Sequence, residues 1–152
     1  MISKYEHFSL SVSCIYHDIQ RIERTEMEKF GLKGPHAQTL LAMRRHPQGI
    51  TSVQLCEICE KDKAAVSRSV AELEEKGMIT RNQVNGSTYR AKLKLTEQGI
   101  AAADAVSERA RQAVEQAGQG LSDDKRQIFY EVMALIAGNL HAICKDGLKE
   151  KE

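Results

Sequence analysis

Apolar positions recur along this chain at two periods. Phe8, Val12, Ile15, Ile19 and Ile22 are spaced four, three, four and three residues apart. That is the narrow stripe of a helix packing on another helix, continued loosely by Tyr5 and Met27. Gly31-Leu32-Lys33-Gly34 ends this first helix, and Pro35 suits the first position of a second, His36 to Arg45, with Ala37, Leu40, Leu41 and Met43 apolar. After the break His46-Pro47-Gln48-Gly49, Thr51-Ser52-Val53-Gln54 matches a capping box that opens a two-turn helix ending at Cys59. Asp62 is a good N-cap and Gly77 a good left-handed stop for the next helix. Within it Val66, Val70 and Leu73 bury one face, while Lys63, Ala64, Ser67, Arg68 and Ala71 occupy the other.

The period then changes to two. Tyr89, Ala91, Leu93 and Leu95 alternate with Arg90, Lys92 and Lys94, the pattern of a half-buried strand. Asn85-Gly86 predicts a two-residue hairpin turn joining it to a first arm from Ile79 to Val84. From Thr96 the helical period resumes through Ile100, Ala103, Val106, Ala110, Ala113 and Val114. Beyond Gly118-Gln119-Gly120, Ser122 caps a last helix with the stripe Phe129, Val132, Met133, Ile136, Leu140 and Ile143. The expected fold class is mainly α (α+β), six helices and a two-stranded wing. The expected organisation is one structural unit: an N-terminal helix (1–33), a central lobe (34–96) and C-terminal helices (97–152).

At 152 residues, 41% apolar and 28% charged, the chain has the composition of one globular domain, not of a disordered or collagen-like segment. Its apolar runs are short against the roughly 20 residues of a membrane span, and no secretory signal is visible. A soluble, cytoplasmic protein without a membrane partner is expected. The net charge of +1 hides an asymmetry. Residues 61–96 hold 8 basic and 4 acidic residues, whereas 97–152 hold 7 and 10. The basic excess therefore lies in the short central stretch.

Two short capped helices followed by a hairpin make a helix-turn-helix with a wing. The second helix offers small and polar residues to a DNA major groove: Arg68 can fork onto a guanine edge or a phosphate, and Ser67 and Lys63 can bond to either, with Ala64 permitting close approach. Thr51 and Ser52 open the preceding helix and join the candidate DNA-binding set. Arg90, Lys92 and Lys94, with Arg81 across from them, can track the adjacent backbone. A basic strand face also serves as a solvated edge that prevents aggregation, so the joint pattern carries the reading. The stripes at the two ends have more apolar positions than a three-helix lobe can cover. They predict a two-fold dimer built on Phe8, Val12, Ile15, Ile19, Phe129, Val132, Ile136 and Leu140.

The run Asp62-Lys63-Ala64-Ala65-Val66-Ser67-Arg68-Ser69-Val70, then Leu73-Glu74, Lys76-Gly77-Met78-Ile79, Arg81 and Leu95-Thr96-Glu97-Gln98-Gly99, resembles the MarR family of bacterial transcription regulators. The flanking helices extend the resemblance over nearly the whole chain. It implies a homodimer whose terminal helices pair and whose two lobes read double-stranded DNA. It further implies a regulator, usually a repressor on a palindromic operator, whose lobe spacing a small-molecule or redox signal alters. By element position, Tyr16, Ile19, His36, Leu40 and Tyr89 would line the effector pocket. One departure stands out: the family's wing aspartate and arginine are replaced by Ser87-Thr88-Tyr89-Arg90, which leaves Arg90 as the substitute.

Other chemistry has weaker support. Cys56-Glu57-Ile58-Cys59 lies inside a short helix and reads as core packing, not as a zinc or redox site, which would want more ligands or a helix N-terminus. Cys14, the best-placed redox candidate, has Ser13, Ile15 and Tyr16 as neighbours and no cation among them. No hydrolase elbow, phosphate loop or zinc-protease motif is present, so neither an enzyme nor a cofactor or metal is expected. The alternative is a winged helix that binds protein and not DNA.

Overall fold

The computed structural model describes residues 3–84 and 87–148, with the side chains of Tyr5 and of residues 83–90 left out. The expected Asn85-Gly86 turn therefore lies outside the described residues, as do the side chains of Tyr89 and Arg90. The element order is α1 (Lys4–Glu28), α2 (His36–Arg44), α3 (Ser52–Cys59), α4 (Lys63–Glu75), β1 (Ile79–Val84), β2 (Ser87–Leu95), α5 (Glu97–Ala117) and α6 (Asp123–Asp146). The predicted six helices and two-stranded wing are all present, with boundaries within a residue or two of those read from the sequence.

Local chemistry explains the starts. Thr51 accepts from the Gln54 amide at 3.3 Å while the Gln54 side chain accepts from the Thr51 amide at 3.0 Å, completing the capping box. Asp62 caps α4 by accepting from the Ala65 amide at 2.7 Å, and Ser122 caps α6. A further capping box, Ser3 with Glu6, opens α1.

Two compact units divide the chain, Met1–Ala113 and Val114–Glu152, with the boundary inside α5. The expected segments 1–33 and 34–96 both lie within the first unit, and 97–152 spans the boundary. In the first unit one core joins Met27 and Leu32 to Leu40 and Met43 of α2, Leu55 of α3, Val66, Val70 and Leu73 of α4, Ile79 and Leu93 of the wing, and Ala103 and Val106 of α5. Ile50 anchors the α2–α3 loop to the wing through a paired bridge with Leu93, at 3.0 and 2.8 Å. Burial follows the sequence period only in part. The N-terminal half of α1 contributes nothing to this core, and Phe8, Val12, Ile15 and Ile19 are exposed.

The second unit is more extreme. α6 has 24 residues and none is buried; Phe129, Val132 and Leu140 are each nearly half exposed. It is also long and apolar enough to cross a membrane, by length and composition alone. Small residues such as Ala134, Ala137 and Gly138 bridge the large ones, so the helix as a whole is apolar although its unbroken apolar runs are short.

The candidate nucleic-acid interface

Helix α4 sits with its two halves in different surroundings. Its buried stripe, Val66, Ser69, Val70 and Leu73, holds it on the core, and Lys63, Ala64, Ser67, Arg68 and Ala71 are exposed on the opposite side. Among the described residues neither Lys63 nor Arg68 makes a hydrogen bond or ion pair. The guanidinium and the ammonium are therefore available at the N-terminal half.

The C-terminal half is held by ion pairs. Glu72 takes a hydrogen bond from the Lys33 ammonium at 2.8 Å and meets Nε2 of His36 at 3.0 Å. Glu74 receives the Arg81 guanidinium through two bonds, at 3.1 and 2.9 Å. Acidic residues that would repel phosphate are thus neutralised from inside the protein, and only Glu75 of that cluster is left exposed.

This arrangement removes Arg81 from the candidate interface. Strand register gives the reason: Arg81 pairs with Leu93, while Lys92 pairs with Asn82 and Lys94 with Thr80. Cross-strand partners share a face of the sheet, so Arg81 lies on the core side with Leu93 and not among the cations. It reaches Glu74 from there. Lys92 is exposed and Lys94 half-buried. Thr51 and Ser52 are half-buried, and the Thr51 hydroxyl is engaged with Gln54.

His36 is the least visible part of the site in the sequence. It is 2% exposed, and its Nδ1 accepts from the Lys33 amide at 3.1 Å. That bond leaves Nε2 as the N–H that donates to Glu72, so the neutral ring satisfies both partners. Burial holds the His36 pKa below its ordinary value, against the pull of Glu72 and with Lys33 and Lys76 adding repulsion. The unfolded chain therefore binds more protons, and the stabilisation is complete above about pH 6.5 and lost as pH falls from there through the folded value. Urea midpoints at pH 7.5 and pH 5 should fall further for the parent than for His36→Gln, whose amide keeps a donor toward Glu72. Equal losses would remove His36 from this role.

A cavity of about 490 Å³ opens elsewhere in the same unit, lined by residues of α1, the start of α2 and the end of α3, including Tyr16, Glu23, Gln38 and Lys61. Of the residues expected at an effector pocket, Tyr16 lines it, His36 and Leu40 are buried in the core, and Ile19 is exposed on α1. Glu23 and Gln38 went unnoticed because a lone carboxylate on an amphipathic helix carries no periodic signal. Cys56 and Cys59 pack partly buried against the core. Burial pushes the Cys59 thiol upward, away from a reactive thiolate. Cys14 is exposed.

Comparison with known proteins finds similarity in one segment of the sequence and in the fold. Residues 30–86 match the sequence model of the MarR family. No curated protein sequence matches the chain. Among solved structures, the fold is shared with a MarR transcriptional regulator from Methanosarcina mazei Go1 (20% identity, 93% and 94% of the two chains, TM-score 0.81). It is shared also with a MarR family regulator from Silicibacter pomeroyi (20%, 91% and 92%, 0.75). A third is S. aureus MepR in complex with DNA (20%, 87% and 97%, 0.77). At these identities the structures show a common fold alone, and the similarity to the family's sequence model is confined to residues 30–86.

Proposed function

We propose that this chain, MarR-like in its winged-helix segment and in its overall fold, is a DNA-binding transcription regulator. It acts in the cytoplasm as a homodimer, represses from a palindromic operator, and is released by a small-molecule signal. The observation that carries the reading is the outward face of α4, where Lys63, Ser67 and Arg68 stand exposed while, among the described residues, the ion pairs to the helix are confined to its other half. A side chain such as Arg68, with no partner among the described residues, gives up no described contact on binding a base edge or phosphate. Lys92 on the wing can add a backbone contact. The solved DNA complex of a protein with the same fold supports this reading. No step of this function needs a catalytic group or cofactor. A small-molecule signal is preferred to a redox one because a cavity is formed.

The two cations should separate by role. With a duplex selected from a random pool, Arg68→Ala should weaken binding by about 1–3 kcal/mol and relax sequence preference. Lys92→Ala should weaken all duplexes alike and reduce the salt slope by about one. Anisotropy titrations across salt concentrations read both. Absence of any duplex binding at low salt would overturn the proposal and favour the protein-binding alternative.

A further inference from the structure

We propose that the cavity framed by α1, the start of α2 and the end of α3 binds a small organic cation, an amine or amidinium on a flat apolar body, with the Glu23 carboxylate as its anchor. The volume of about 490 Å³ lies within the range of drug-sized ligand sites. Glu23 is only 5% exposed. Its one hydrogen bond among the described residues comes from Gln38 Nε2 to Oε1, at 2.6 Å. Among the described residues Oε2 has no protein donor, and Glu23 is one of the residues that line the cavity.

A carboxylate has room for about four donors, and this one has a single neutral donor. Burial pushes the Glu23 carboxyl above its ordinary range, only partly offset by Gln38 and Lys61. A ligand cation would supply the missing charge-assisted bond at Oε2, the stronger kind. Lys61 makes its hydrogen bond to the Pro35 carbonyl, at 3.3 Å, and acts on Glu23 through its charge without a hydrogen bond among the described residues. The rest of the wall suits a flat apolar body. Pro35, Ile58 and Cys59 offer apolar surface, and Tyr16 adds an aromatic residue to the lining, the residue type that attracts cations. Glu60 adds a second carboxylate to the lining, and its backbone holds a left-handed conformation (φ 50°) that closes α3 there. Arg24 and Lys61 also line the space, yet an anion drawn to them would have to sit beside a buried, under-bonded carboxylate.

The proposal deepens the effector part of the function above, and its test contains no DNA. Benzamidine and benzoate, matched in shape and opposite in charge, are titrated into the full chain by amide-resolved NMR. Benzamidine should give saturable shifts at residues 20–24, 34–38 and 58–61, and benzoate should bind at least about tenfold more weakly. Glu23→Gln, which keeps an acceptor for Gln38, should reduce benzamidine affinity at least about tenfold. Glu23→Asp should retain part of it, which separates loss of charge from loss of fold. No saturable benzamidine binding, equal binding of benzoate, or full affinity in Glu23→Gln would each overturn the assignment. DNA binding measured separately on the same samples keeps the two readings distinguishable: either can fail with the other intact.

Discussion

Gly99→Ala is expected to destabilise the first unit by about 3 kcal/mol or more, enough to unfold much of the protein at growth temperature. A Cβ at Gly99 would fall well inside contact distance of the Met78 carbonyl oxygen, and 2.9 Å from its carbon. Both are backbone atoms, so no side chain can turn aside. The contact is held on every side. Thr96 donates from its amide to Met78 O at 3.0 Å and from its hydroxyl to Gly77 O at 2.7 Å. That hydroxyl in turn accepts from the Gly99 amide at 3.1 Å. Moving α5 away from Met78 would break this set together.

Helix propensity works the other way, since alanine in place of glycine favours a helix by about 1 kcal/mol. The steric cost is larger and decides the sign. Gly31→Ala is the control: Gly31 has a positive φ of 65° and open space around a Cβ, so only the left-handed strain of about 1–2 kcal/mol applies. Urea unfolding followed by far-UV circular dichroism should rank Gly99→Ala as the worse by a clear margin. A loss at Gly99 below about 1 kcal/mol would mean that the close approach to Met78 does not exist.

The second large effect concerns assembly. Phe129→Asp combined with Leu140→Asp should convert a dimer to a monomer at micromolar concentration, raising the dissociation constant at least about 100-fold. α6 has no buried residue in a single chain, though Phe129, Val132, Ile136 and Leu140 follow the spacing of an interface helix. In a two-fold dimer each substitution enters twice, and an unpaired carboxylate in an apolar interface costs several kcal/mol. Light scattering reads the mass, and circular dichroism of the variant reports whether helices survive. DNA affinity should fall with it, because coupled half-sites need two lobes held together. A monomeric parent, a variant that stays dimeric, or a parent recovered in the membrane fraction would each overturn this use of α6.

Much of the candidate interface was legible because it rests on local rules. Capping residues, the period of 3.6 on α4 and the alternation along β2 depend on neighbours within a few residues, and they placed Lys63, Ser67, Arg68 and Lys92 on outward faces. The motif from Leu95 to Gly99 was readable as a pattern while its reason was not. Gly99 is required by a carbonyl 21 positions earlier and not by its own backbone angles. Arg81 was misread for a related reason. Its charge suggested the cationic row, and only the pairing of Arg81 with Leu93 showed which face it shares.

By itself, then, the sequence determined the six helices, the wing, the buried stripe of α4 and the uneven placement of charge, since each follows from periodicity and short-range hydrogen bonding. Tertiary structure alone decided three further things. It paired Glu72 and Glu74 with His36, Lys33 and Arg81, buried Glu23 on Gln38 beside a cavity, and left α6 without a buried residue. The physical reason is the same in each case. Charge, burial and contact depend on which distant residues arrive beside a group, and no local period encodes that arrival.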